Sequence, residues 1–141
     1  MKAVLQRVKK AGVSVEGKLI NSIEAGLCVL IGFEKEDNIE KLKKMAQKIV
    51  KLRVFGERFD KSLTDINGEI LLIPNFTIPG ITKKGTRPNF QNSMPPSEAK
   101  EFYDKMIEEL NGYAPTKSGV FGAYMEVEII NDGPVTLILE V

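Results

Sequence analysis

Leu27-Cys28-Val29-Leu30-Ile31-Gly32-Phe33 is the stretch that decides the fold. All but Gly32 are apolar, and they do not alternate with polar residues. A strand with one wet face alternates, whereas a strand covered on both faces reads as a continuous apolar run. The run therefore predicts a central strand with packed layers on either side. Cys28 inside it reads as a small core hydrophobe and not a nucleophile. The run is also far too short for a bilayer span, which takes about 20 apolar residues.

Upstream, the chain reads as strands. Residues 2–8 form a plausible first strand, and Val13-Ser14-Val15-Glu16 alternates with period two. Gly17-Lys18 turns the chain into residues 19–23, and Glu24-Ala25-Gly26 turns it into the central run. Downstream, Asp37 is placed to cap a helix with Glu40 at capping-box spacing. Ile39, Leu42, Met45, Ala46, Ile49 and Leu52 form its apolar stripe, with lysines on the other side. Arg53-Val54-Phe55 suggests the start of a short strand, and Asn67-Gly68 turns into an apolar strand over 69–76. Residues 79–96 show no period and predict a long surface loop. Ser97 is the expected cap of a second helix, with Ala99, Phe102, Met106, Ile107 and Leu110 buried and Gly112 as its stop. Residues 124–130 and 135–141 alternate as strands joined by Asn131-Asp132-Gly133-Pro134. No repeat or linker appears, so residues 1–141 form a single domain. The predicted class is α+β, a mainly antiparallel sheet or partly closed β-barrel with two main helices.

Composition excludes several chemistries. The 141 residues include no His, which removes Ser–His triads, imidazole acid–base catalysis and His-ligated metals. The lone Cys28 leaves no disulfide or thiolate cluster and fits a reducing cytoplasm. The opening MKAVLQRVKK lacks the long apolar stretch of a signal peptide. Net charge is only +1, but its distribution is uneven. No acid precedes Glu16, residues 70–97 are acid-free and carry Lys83, Lys84 and Arg87, and acids gather at 34–40 and 98–109. Segregation of this kind makes a face that a phosphate-bearing ligand selects, although lysines also solvate surfaces generally.

Two segments carry the remaining signals. In Ile73-Pro74-Asn75-Phe76-Thr77-Ile78-Pro79-Gly80, Pro74 cannot donate to a ladder, so the strand is at an edge or bulged there. On pattern alone this is a strand stop with a Pro-Gly turn; alternatively, the Phe76 and Thr77 amides are free to meet a ligand oxygen. In Asn131-Asp132-Gly133-Pro134-Val135-Thr136, Asp-Gly reads first as a hairpin turn. The alternative is a Gly-Pro bond in cis, holding carbonyls and a flat ring in a fixed geometry.

Together these pieces resemble the D-aminoacyl-tRNA deacylases over essentially the whole chain. Residues 131–136 match that family's Asn-x-Gly-Pro-x-Thr motif without change. Its Ser-Gln-x-x-Thr motif is kept in part: Phe76 and Thr77 match, but Pro74 replaces Ser and Asn75 replaces Gln. The departures bear on substrate preference.

The resemblance implies hydrolysis of the ester between a D-amino acid, or glycine, and the 3′-terminal adenosine of tRNA. It implies a homodimer with sites at the subunit boundary, no cofactor, no metal and no membrane. Phe76 and Thr77 would be the catalytic pair, their backbone N–H groups serving as oxyanion donors, with the ribose 2′-hydroxyl helping to activate water. Gly133 and Pro134, cis and inserted from the partner, would reject L-residues. Arg7 resembles the family's brace for that segment, and Asn75, Met125 and Phe121 resemble residues lining the pocket. Lys83, Lys84 and Arg87 would attract acceptor-stem phosphates. The competing expectations are a deacylase with shifted substrate preference, a tRNA-acceptor-binding protein without turnover, and an interaction domain with no RNA partner.

Overall fold

The computed structural model describes residues 1–141. Its elements in chain order are β1 (Lys2–Val15), β2 (Lys18–Ile23), β3 (Gly26–Gly32), α1 (Ile39–Lys51), a 3-10 turn (Thr64–Ile66), β4 (Glu69–Pro74), α2 (Pro96–Asn111), β5 (Thr116–Ser118) and β6 (Glu126–Glu140). β1 is the organising strand. One of its edges pairs antiparallel with β6 along nearly the whole length, and the other is shared between β3 and β2. β3 then pairs parallel with β4, and β4 with β5. The class is α+β, with a six-stranded mixed sheet closed into a barrel except for one seam. β2 and β5 approach without a backbone ladder; Asn21 Nδ2 donates to Ser118 O at 2.7 Å and Lys117 Nζ to Ser22 O at 2.8 Å.

β3 is central, as its unbroken apolar run requires. Its Leu27, Val29 and Ile31 join Ile70 and Leu72 of β4 in a core shared with both helices. Cys28 faces the other way, into a second core with Val8, Val13, Leu71 and Ile73. Burial pushes the Cys28 thiol up to about 12, so it stays protonated and inert. Each fully buried Leu or Ile contributes roughly 1.5–3 kcal/mol, so the two layers dominate stability.

Several local expectations change. β1 is one strand and not two, turned by Glu16 (φ 51°) and Gly17 (φ 78°), the pair of positive angles a two-residue hairpin needs. The chain from Glu126 to Glu140 is likewise one strand: Asn131–Pro134 is no hairpin, and the register with β1 slips around Val8 to absorb it. α1 is capped by Asn38, whose Oδ1 accepts from Lys41 N–H at 2.9 Å. Asp37 is occupied elsewhere, by the Met1 ammonium at 2.6 Å and the Glu34 N–H at 2.7 Å. α2 has Pro95 at its cap position and Pro96 in its first turn, without the expected Ser97 cap. Phe55 makes only an isolated bridge to Lys61, and β5 was not foreseen.

Tyr103 replaces Phe102 on the buried stripe of α2. Its hydroxyl donates to Leu72 O at 2.6 Å and accepts from Gly119 N–H at 3.1 Å. Burial raises its ionisation well above the ordinary tyrosine range, so it remains a neutral bridge between β4 and the segment before β6.

The parallel β3–β4 contact is tightest at Gly26, where an added Cβ would overlap the Glu69 carbonyl oxygen. Gly26→Ala is expected to destabilise the chain by about 1–3 kcal/mol through overpacking against rigid backbone. Denaturant titration, with Gly12→Ala as a reference where an added Cβ would meet only ordinary contacts at 3.4 Å and beyond, measures the excess cost.

Candidate active site

The site begins where β4 stops. Pro74, opposite Ile31, ends the strand, and the next amide, Asn75 N–H, still donates to Ile31 O at 2.8 Å. The chain then turns tightly, with Ile78 N–H on Asn75 O at 3.3 Å and Gly80 N–H on Thr77 O at 2.9 Å. The turn folds back over Gly32, where a Cβ would stand 2.8 Å from the Asn75 carbonyl oxygen. Only glycine at the end of β3 permits that approach.

Inside the turn, Asn75 Oδ1 accepts from Thr77 Oγ1 at 2.6 Å and from Thr77 N–H at 3.2 Å. An amide N–H can only donate, which fixes the carboxamide's orientation. The Phe76 N–H has no acceptor in the chain, and its carbonyl receives Ser93 Oγ at 3.3 Å. Of the two expected oxyanion donors, then, Phe76 is unengaged and Thr77 is already bonded, at the long end of the normal range.

Beside this turn lies a cleft of about 500 Å3. Pro74, Asn75, Phe76, Phe90, Phe121 and Met125 are among its walls. Phe76 packs edge-on to Phe90 with ring centroids 5.3 Å apart, and Phe121 lies 5.9 Å from Tyr103. Met125 Sδ accepts from Val120 N–H at 3.4 Å, which ties down the strip carrying Phe121. No ionisable side chain lines the cleft, and no cluster of His, Cys, Asp or Glu could hold a metal ion. Its polar groups are backbone amides, Asn75 and Ser93.

The second group of expected residues lies outside this cleft. Gly133 (φ 124°) and Pro134 sit mid-strand in β6, joined by a cis peptide bond. Arg7 Nε donates to Asp132 O at 3.1 Å, and Arg7 Nη1 donates to Val54 O at 2.7 Å. A Cβ on Gly133 would come within 2.8 Å of Arg7 Nη2. Asn131 Nδ2 donates to Arg7 O and Val135 O, and Asn131 Oδ1 accepts from Thr136 Oγ1 at 3.1 Å. Asn131 and Thr136 thus fasten the bulge from within.

Lys83, Lys84 and Arg87 stand at the exposed tip of an excursion closed by the Ile81–Asn89 bridge. None has a carboxylate within ion-pair distance. The excursion returns through Phe90 to the cleft wall. Sequence reasoning missed Phe90, Tyr103 and the Pro95–Pro96 rim. A lone Phe in an otherwise polar loop was the available signal for the first.

The profile of the family described as "D-Tyr-tRNA(Tyr) deacylase" matches residues 4–140. A D-aminoacyl-tRNA deacylase of Nautilia profundicola is 79% identical over 141 residues, covering all of both chains. A solved structure described as "c-Myc DNA Unwinding Element Binding Protein" is 45% identical with a TM-score of 0.95, covering 100% of this chain and 99% of that one. A probable eukaryotic D-amino acid tRNA deacylase shares the fold at 18% identity, with a TM-score of 0.84 over 99% of this chain and 98% of that one. With a family match across the length and a relative this similar, the chain belongs to the D-Tyr-tRNA(Tyr) deacylase family.

Proposed function

We propose that the chain hydrolyses the ester joining a D-amino acid, or mischarged glycine, to the 3′-terminal adenosine of tRNA. Free amino acid and tRNA are the products. The observation that carries this is the unengaged Phe76 N–H beside an apolar cleft at the end of β4. Water adds to the ester carbonyl, and the oxygen that gains charge is met by Phe76 N–H, with the long Thr77 bond free to be shared. The tetrahedral species collapses, the carbonyl carbon–O3′ bond breaks, and O3′ takes a proton. One well-placed donor of this kind is worth about 10²–10³ in rate. With no ionisable group in the cleft, the neighbouring ribose 2′-hydroxyl orients and activates the water.

Chiral selection is assigned to Gly133 and Pro134, braced by Arg7. Since these lie outside the cleft of their own chain, they would serve the cleft of a second copy. The outer edge of β6 has no strand partner and exposes Ile130, Leu137 and Ile138, an edge suited to pairing. Lys83, Lys84 and Arg87 would hold acceptor-stem phosphates, and the cytoplasm is the compartment that fits such a substrate. A second reading, nucleic-acid binding without turnover, is favoured by the DNA-binding name of the 45% identical relative and by Pro74-Asn75. Release of D-Tyr or Gly from charged tRNA by the purified chain decides between them.

Thr77 Oγ donates its proton to Asn75 and has no base beside it, so Thr77→Ala should keep turnover within about tenfold, whereas a true nucleophile would lose several orders of magnitude. Replacing the substrate's ribose 2′-hydroxyl by hydrogen should abolish turnover in a single-turnover assay.

Gly133→Ala should drive Arg7 off the segment and blur the chiral wall. The ratio of D to L turnover on one tRNA is expected to fall at least tenfold, an effect of about 1.4 kcal/mol. An unchanged ratio would remove the segment from the site.

Sedimentation at micromolar concentration should give one species at twice the 15.7 kDa chain mass. A fully active monomer would contradict the shared site.

A further inference from the structure

α1 carries five lysines and one glutamate, while α2, packed against it, carries five acids and two lysines. The obvious structural use of such opposite charge is pairing across the helix contact. No ion pair joins the two helices, and no α1 lysine has a carboxylate within 4.0 Å. Lys41, Lys44, Lys48 and Lys51 follow each other at steps of three, four and three, so they form one row along the flank of the buried Leu42, Met45, Ile49 stripe. The row is about 15 Å long, at a rise of 1.5 Å per residue. Lys44, Lys48 and Lys51 are exposed and Lys41 is half-buried. Like charges at these spacings cost a helix stability, and only Lys48 and Lys51, in the last turn, are offset by the helix dipole.

The row also has a position. α1 starts six residues after Phe33, which lines the cleft, and runs away from there for about 20 Å. We infer that this row is a second phosphate-contact surface, engaging the tRNA backbone beyond the 3′ end held in the cleft. The inference rests on the tRNA substrate proposed above and extends it from the terminal adenosine to the body of the molecule. Regularly spaced ammonium groups without acid partners suit a phosphate backbone, where each contact releases counterions and steepens the salt dependence of binding.

The test is binding of uncharged tRNA across a salt series, with Lys44, Lys48 and Lys51 changed together to Gln. Gln keeps helix propensity, so circular dichroism and Tm should be preserved. The slope of log Kd against log salt should fall by about two to three, near one per lysine, with at least a tenfold loss of affinity at low salt. Lys48→Glu alone should move the slope the same way, and Lys105→Gln on α2 should not move it. In turnover, the triple variant should lose at least tenfold more on whole D-aminoacyl-tRNA than on a D-aminoacyl CCA trinucleotide. Unchanged slope and affinity would overturn the inference, as would equal losses on the two substrates. A larger loss for duplex DNA of equal charge than for tRNA would overturn it too, by giving the row to DNA. Because binding uses uncharged tRNA, a wild type that binds but releases no amino acid would sink the hydrolase proposal and leave this one standing.

Discussion

Burial of β3 on both faces is the constraint from which the rest follows. Its odd-numbered residues Leu27, Val29 and Ile31 need the helices on one side, and Cys28 needs the barrel interior on the other. A strand so placed cannot lie at an edge, so it takes β1 on one flank and β4 on the other. The β4 pairing is parallel, which demands a long connection, and α1 is the helix within it that covers the helix-side core. Two parallel strands then end together. Gly32 and Pro74 terminate them side by side, and the chain spills into the Asn75–Gly80 turn at that one place. The unengaged amide of Phe76 is thus a consequence of where β3 had to be.

The fold class was legible because its main signals are periodic. The double-faced run of β3 and the β4 run survive with boundaries shifted by a residue or two. The α1 stripe survives at Leu42, Met45, Ala46 and Ile49, whereas Ile39 in the first turn is exposed and Leu52 is the helix's C-cap. What failed was local competition for the same group. Asp37 was a sound cap by spacing, but the Met1 ammonium claims it, and Asn38 takes the helix. The Asn131–Pro134 segment has turn composition, yet β1 pairs with β6 on either side of it and holds it as a bulge. No local pattern can report a partner strand more than a hundred residues away. β5 is only three residues long and has no period to read.

The candidate site divides the same way. Pro74, Asn75, Phe76, Phe121 and Met125 share one cleft, although they come from two distant stretches of sequence, and only the resemblance had grouped them. The free state of the Phe76 amide and the engaged state of Thr77 depend on which acceptors surround them, which residue identity alone does not tell. Asn75 decides the difference. Its short carboxamide closes back on Thr77, so the residue that departs from the family pattern engages the amide next to that of Phe76, and Thr77 itself is not among the walls of the cleft.

A cleft without a single ionisable side chain is a poor place to generate a strong base and a good place to hold an oxyanion. Apolar walls lower the local dielectric, so one amide dipole counts for more there than in water. The walls carry no cation or carboxylate, and the charges are elsewhere: Arg7 behind the Gly133 bulge, Lys83, Lys84 and Arg87 at a loop tip, and the lysine row on α1. For an ester that is already activated and that carries its own hydroxyl next to the leaving oxygen, this separation is workable. On the proposed reaction, the protein's tasks would reduce to placing one carbonyl against Phe76, steering a polyanion, and presenting a wall of fixed shape. Rejecting a mirror-image side chain depends on that wall's stiffness more than on any attraction. Stiffness is what the bulge has: three side chains, Arg7, Asn131 and Thr136, hold it by hydrogen bonds on both sides of Gly133.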